Sequence, residues 1–193
     1  MNAELIRLLE NLLRVGVVVA VDEKSARVRV QSGELLTDWL RWNTLRAGAF
    51  TLWAPPCVGE QVWLGCLGGN PETAVIIGSL YSHDHPAPGS SLKEMILTAP
   101  DGARFCYDAD AGALHAQGMK TAHIVAETRV TLETAVVECT EHLKARTFEL
   151  TAGGTMKGDI VHSDGALSSH GVTLHTHVHG GVQGGGGNTG GPT

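Results

Sequence analysis

The sequence predicts an all-β protein in two unlike parts. A small antiparallel barrel of the oligonucleotide/oligosaccharide-binding (OB) type comes first, followed by a lean strand-rich segment that completes its core with neighbouring copies of the chain. Three observations carry this prediction. Short β-prone runs separated by turn residues crowd residues 15–80. The composition then changes at "SHDHPAPGSS", 82–91, a stretch of turn residues without apolar periodicity. Beyond it, small and branched apolar residues alternate with polar ones, and no amphipathic helix pattern interrupts them.

Taken in order, Leu5, Leu8, Leu9 and Leu12 recur at helical spacing and predict an amphipathic helix over 3–14, docked on its own domain or on a subunit. The strands expected next are "GVVVAVD", "ARVRVQS", "TDWLRWN", "FTLWAP", "EQVWLGCL" and "TAVIIGSL". Trp39, Trp42, Trp53 and Trp63 all fall among them. Packing in the core or at an interface is the preferred reading of these four, and an aromatic binding platform is the alternative. In the linker, His83 and His85 share an H-x-H spacing, but Asp84 and the prolines that follow mark a loop rather than a ligand pair. The division expected is 1–82 for helix and barrel, 83–94 for the linker, 95–164 for the strand-rich segment and 165–193 for the end.

From Thr121 to Glu141 the alternation is clearest: Ala122, Ile124 and Ala126 against His123, Val125 and Glu127. Such strands bury little within one chain, so a segment built only of them is marginal alone. Three copies wound about a common axis would pair every strand, remove free edges and bury the apolar face. A single-chain β-sandwich is the alternative, and it lacks the bulky residues that a two-sheet core requires.

Composition narrows the function. A formal charge of -6 with only 14 Lys and Arg opposes a phosphate backbone as main partner, so nucleic acid is not expected. Cys57, Cys66, Cys106 and Cys139 are widely spaced without a C-x-x-C pair and read as reduced core residues of a protein made in the cytoplasm. "VGVVVAV" follows a run interrupted by Glu4 and Glu10 and lacks a small-residue cleavage site, so no signal peptide is expected.

The end of the chain poses the chemical question. "LHTHVHGG", 174–181, sets His175, His177 and His179 at every second position, which on a strand would aim them to one side. A catalytic metal centre, a structural one and a histidine-rich end without a role are all compatible with that spacing. No Asp, Glu, Lys or Arg follows Asp164, and "GGVQGGGGNTGGPT" reads either as a flexible tail or as backbone allowing close approach of several chains. A small metal-dependent hydrolase using the three histidines has a suitable ligand count but lacks a nearby general base and carboxylates to orient the imidazoles. An OB-type binding module rests on fold analogy alone. Asp159, Ser163, Asp164, Ser168 and Ser169 offer oxygen ligands for a second, harder ion such as calcium, although turn formation accounts for them equally.

Several motifs together resemble the baseplate assembly protein V family, the central spikes of contractile phage tails, with relatives in R-type pyocins. They are "TDWLRWNTLRAG", "WAPPCVGEQVWLGCLGG" followed by "AVIIGSLYS", then "APDGARFCYD", and finally "GDIVHSDGALSSHGVTLHTHVHGG". The likeness covers nearly the whole chain, without a lysozyme-like insertion and with a more glycine-rich end. It implies a homotrimer in which an OB-fold joins the tail tube and baseplate hub, an intertwined triple-stranded β-helix follows, and a metal-capped tip closes the rod. The tip histidines of three chains would hold one iron ion; matched residue by residue, these are His175 and His177. The implied activity is non-enzymatic piercing of the target bacterial outer membrane, in a virion or phage-tail-like particle. Six imidazoles would suit iron better than zinc, whose structural sites are almost always four-coordinate.

Overall fold

The computed structural model describes residues 3–178 and 181, and the chain divides into two compact units, 1–127 and 128–193. The first unit opens with helix α1 (Ala3–Glu10), four residues shorter than the leucine spacing predicts. Its backbone passes so close to Gly69, a residue with φ 74°, that a Cβ there would collide with the Leu8 carbonyl. Strands β1 (Leu13–Asp22), β2 (Arg27–Ser32), β3 (Leu35–Leu36), β4 (Arg41–Trp42), β5 (Gln61–Cys66) and β6 (Ala74–Leu80) form one sheet in the order β3-β2-β1-β5-β6-β4. Its pairs are antiparallel except β4 with β6. Leu40, just before β4, exchanges backbone hydrogen bonds of 2.8 and 3.0 Å with Val28 of β2, which draws the far end of the sheet back onto its beginning. The barrel expected from the sequence is therefore present.

Alternation explains its core. Val28 and Val30 of β2 and Val62, Leu64 and Cys66 of β5 point inward at every second position and meet Val18, Leu40, Ala74 and Ile76. Branched aliphatics fill this interior and the tryptophans do not: Trp42 only flanks it, while Trp39, Trp53 and Trp63 are exposed. Core packing is thus excluded for those three. "FTLWAP" is not a strand either. Residues 43–53 form a loop held by Thr44 Oγ1 donating to the Leu52 carbonyl (2.8 Å) and by the Leu52 amide donating to the Arg46 carbonyl (3.1 Å). The core reading of the cysteines holds for Cys66 and Cys106, whereas Cys57 and Cys139 are exposed. The four thiols are all free.

One buried polar contact gives a direct test of this packing. Thr37 is 3 % exposed, and its hydroxyl accepts the Val30 amide at 2.9 Å. Thr37→Val keeps the shape and strands that N–H, so it is expected to destabilise the barrel by about 1–3 kcal/mol. The shift in urea midpoint of a chain ending at Glu127 measures this.

Strands β7 (Glu94–Thr98), β8 (Arg104–Asp108) and β9 (Ala113–Gln117) form an antiparallel meander that belongs to the first unit and buries Ala103 and Cys106. Beyond it the picture changes. Among the described residues, no backbone amide between 119 and 166 bonds to another backbone carbonyl, and no strand is formed before β10 (Ser168–Ser169) and β11 (Val172–Thr173). Among the described residues, no helix is long and apolar enough to cross a membrane.

Candidate metal centre at the chain end

The histidine motif follows directly on a small hairpin. His170 (φ 49°) and Gly171 (φ 82°) join β10 to β11, two successive left-handed residues as a tight two-residue hairpin turn demands. The Leu174 amide donates to the Leu167 carbonyl at 2.9 Å and extends the pairing by one step. There the strand stops. The Thr176 amide turns back to the Thr173 carbonyl at 3.3 Å, so Leu174–Thr176 is a turn and not the strand that the H-x-H spacing predicts. The physical reason is the lack of a partner: the two-stranded hairpin offers nothing further along for these residues to pair with.

His175 and His177 are both exposed. His177 Nδ1 lies 2.7 Å from the Leu174 carbonyl oxygen. A carbonyl only accepts, so Nδ1 carries a hydrogen; in a neutral ring that leaves Nε2 as the accepting nitrogen, the arrangement in which a histidine ligates metal through Nε2. His179 lies outside the described residues. Among those described, one chain brings together no group of three His, Cys, Asp or Glu side chains able to hold an ion. The oxygen-rich stretch upstream is occupied with turns: Asp164 takes φ 58° ahead of Gly165, and Ser168 and Ser169 form β10.

A second cluster links the barrel to the linker. His85 Nε2 lies 4.0 Å from Cys57 Sγ, and the Cys57 amide donates to Glu60 at 2.9 Å. Burial first, and the neighbouring Glu60 charge second, push the Cys57 thiol above its usual range. The thiol thus stays protonated near neutral pH and is not an activated nucleophile. His83 Nδ1 lies 3.3 Å from Oδ1 of its neighbour Asp84, on the surface. Nothing in the sequence announced the Cys57–His85 approach, because the two lie 28 positions apart in segments without a shared motif.

The residues between 119 and 166 carry a pattern that the folded barrel clarifies. Ile124, Val130, Leu132 and Val136 hold even positions, Val137 and Leu143 odd ones, and Phe148, Leu150, Met156 and Ile160 even ones again. All of them are exposed on the single chain. Apolar side chains that mostly alternate, with Val125 and Val161 off the even register, joined to a backbone without internal backbone hydrogen bonds, are the two halves of an unfinished sheet.

A barrel, a segment of alternating apolar residues without its own core and a histidine-bearing hairpin follow one another along the chain, the order of parts of a spike-like protein, and comparison with known proteins agrees segment by segment. Residues 14–81 match the family described as the type VI secretion system/phage-baseplate injector OB domain. Residues 118–170 match the phage spike trimer family, and residues 171–193 match the GpV apex motif. The spike protein of Escherichia phage P2 is 43% identical over 197 residues, covering 94% of this chain and 93% of the relative. The chain belongs to the phage spike protein family and is a structural component of a phage tail baseplate.

Proposed function

We propose that three copies of the chain form a non-enzymatic spike that pierces the outer membrane of the target bacterium. The observation that carries this reading is the stretch 119–166, whose backbone groups find no backbone partners and whose apolar residues stay exposed in the single chain. Water can satisfy an exposed backbone but not a long run of exposed apolar side chains, and partners outside the chain would bury those side chains and pair the backbone together. Three chains winding about one axis supply them, as a triple-stranded β-helix, and leave no sheet edge open. The match to a phage spike trimer family supports the number.

The work divides along the chain. Residues 1–82 join the tail tube and hub, 83–94 connect, 95–164 form the rod and 165–193 form the tip. At the tip, His175 and His177 of each chain give six imidazoles, which hold one iron ion per trimer. The donor set fits: neutral imidazoles accept iron, and the tautomer fixed by the Leu174 carbonyl presents Nε2 of His177. Bound there, the ion cross-links three chain ends and supplies no chemistry to a substrate, since six protein ligands leave no position for water. The end past Asp164 carries no Asp, Glu, Lys or Arg. This suits entry into a bilayer, where each such charge costs about 2.5–3.5 kcal/mol on insertion scales. The protein resides at the baseplate tip of a virion or phage-tail-like particle.

Deleting 165–193 tests the division. Particles should assemble with normal spike content and lose infection or killing by about two orders of magnitude, the scale of a lost binding step worth ~3 kcal/mol. Loss of spike from the particle, with normal penetration by those particles that retain it, would place attachment at the wrong end.

A further inference from the structure

We propose that the cleft between the β1–β2 turn and the loop 43–53 binds a short acidic peptide segment bearing an aromatic or aliphatic side chain, contributed by another protein. The cleft encloses about 510 Å³ and is lined by Arg27, Arg41, Arg46, Trp42 and Trp53 with small and hydroxyl-bearing residues between them. That volume lies within the range of about 300–1,000 Å³ common to ligand sites. No Asp or Glu lines it, although the whole chain carries a formal charge of -6. None of the three arginines takes part in an ion pair among the described residues, and the one side-chain hydrogen bond among them runs from the Arg46 guanidinium to the Leu45 carbonyl at 3.2 Å. Planar guanidinium groups held without a carboxylate are suited to receive one, in bidentate fashion.

The aromatic half of the site is equally specific. Trp42 and Trp53 stand 5.6 Å apart with their rings tilted by 59°, and Trp53 is 61% exposed. Trp42 packs against the barrel core, while Trp53 is left with an open face for an apolar side chain. Both walls are fixed before anything binds. Asp22 accepts the Ser25 hydroxyl at 2.6 Å and the Lys24 amide at 3.1 Å, which sets the β1–β2 turn. On the other side, Ala47 bridges Thr51 and the Thr44 hydroxyl holds Leu52. A preformed cleft loses little entropy on binding.

Other ligand classes fit less well. A neutral sugar would leave the charge of three arginines unanswered, whereas a carboxylate answers it. A long polyanion leaving the cleft past Arg27 and Arg41 would meet Glu72, which lines the next depression with them. Long-range repulsion from an acidic chain opposes it further. A short peptide with a few carboxylates meets neither obstacle. The reading stands on the geometry of the barrel and does not depend on what the chain end does.

The test is a nuclear magnetic resonance titration of the full chain with the peptide Ac-Asp-Glu-Phe-Glu-Asp-NH2, following the indole N–H signals of the four tryptophans. Signals of Trp42 and Trp53, assigned through Trp→Phe variants, should move saturably while those of Trp39 and Trp63 stay. Arg41→Ala and Trp53→Ala, both at exposed positions, should each weaken binding by about ten-fold. The lysine counterpart Ac-Lys-Lys-Phe-Lys-Lys-NH2 should produce no shift. No shift with the acidic peptide, shifts spread over all four indoles, or affinity unchanged in both variants overturns the proposal. Tighter binding of an oligothymidine than of the peptide also overturns it and makes the cleft a nucleic-acid site.

Discussion

Leu132→Asp is expected to abolish assembly of the full chain, whereas Thr131→Asp, one position away, is expected to leave it intact. Both residues are exposed in the single chain, so folding of one chain does not distinguish them. The difference arises only when copies meet. Leu132 shares its parity with Ile124, Val130 and Val136, and the alternation puts that set on the face turned to the axis. Three carboxylates brought together there would each pay a desolvation cost of several kcal/mol (~3–5 for an unpaired buried charge) and repel one another. Thr131 shares its parity with His123, Glu127, Arg129 and Glu133, a set that stays in water. Sedimentation at micromolar concentration reads the result: monomer for Leu132→Asp, the native species for Thr131→Asp. Equal behaviour of the two variants would mean that alternation does not choose the buried face.

Replacing His175 and His177 together with alanine is expected to remove all bound metal while the trimer persists. In the proposed trimer, strand pairing would hold the rod along its length and the tip would only close it, so oligomeric state and metal content should separate. Hydrogen exchange should rise in residues 172–178 and remain unchanged through β1 to β9. Acid should release the ion from the unmodified protein as well, because a protonated imidazole has no lone pair to give a metal. Removal by chelator at neutral pH should reproduce the variant's exchange pattern. Metal retained in full by the double variant would move the site to other residues.

Much of the fold could be read from residue order because the barrel's periodicity is local. "RVRVQS" and "QVWLGC" place their inward residues at every second position, and the structure buries those same positions. The tryptophans were harder. A large aromatic within an alternating run reads as core, but this small interior is already filled by valines, leucines and an isoleucine, so Trp39, Trp53 and Trp63 are left outside. The loop 43–53 was equally hidden: "FTLWAP" has strand composition, yet Pro55 and Pro56 cannot donate to a ladder and side-chain hydrogen bonds hold the segment as a loop. At the chain end, the histidine spacing was legible while the local backbone was not. A strand exists only with a partner, and Leu174–Thr176 curls into a turn where the hairpin has none to offer. The same rule governs 119–166, whose alternation is plain in the sequence and whose pairing the proposed trimer would supply.

The central claim joins two numbers, three chains and one ion, and native mass spectrometry of the purified full-length protein measures both in one spectrum. The account predicts a single dominant species with the mass of three chains plus one iron, which acid treatment converts to the metal-free trimer. A monomer, or a trimer carrying one metal per chain, would contradict it.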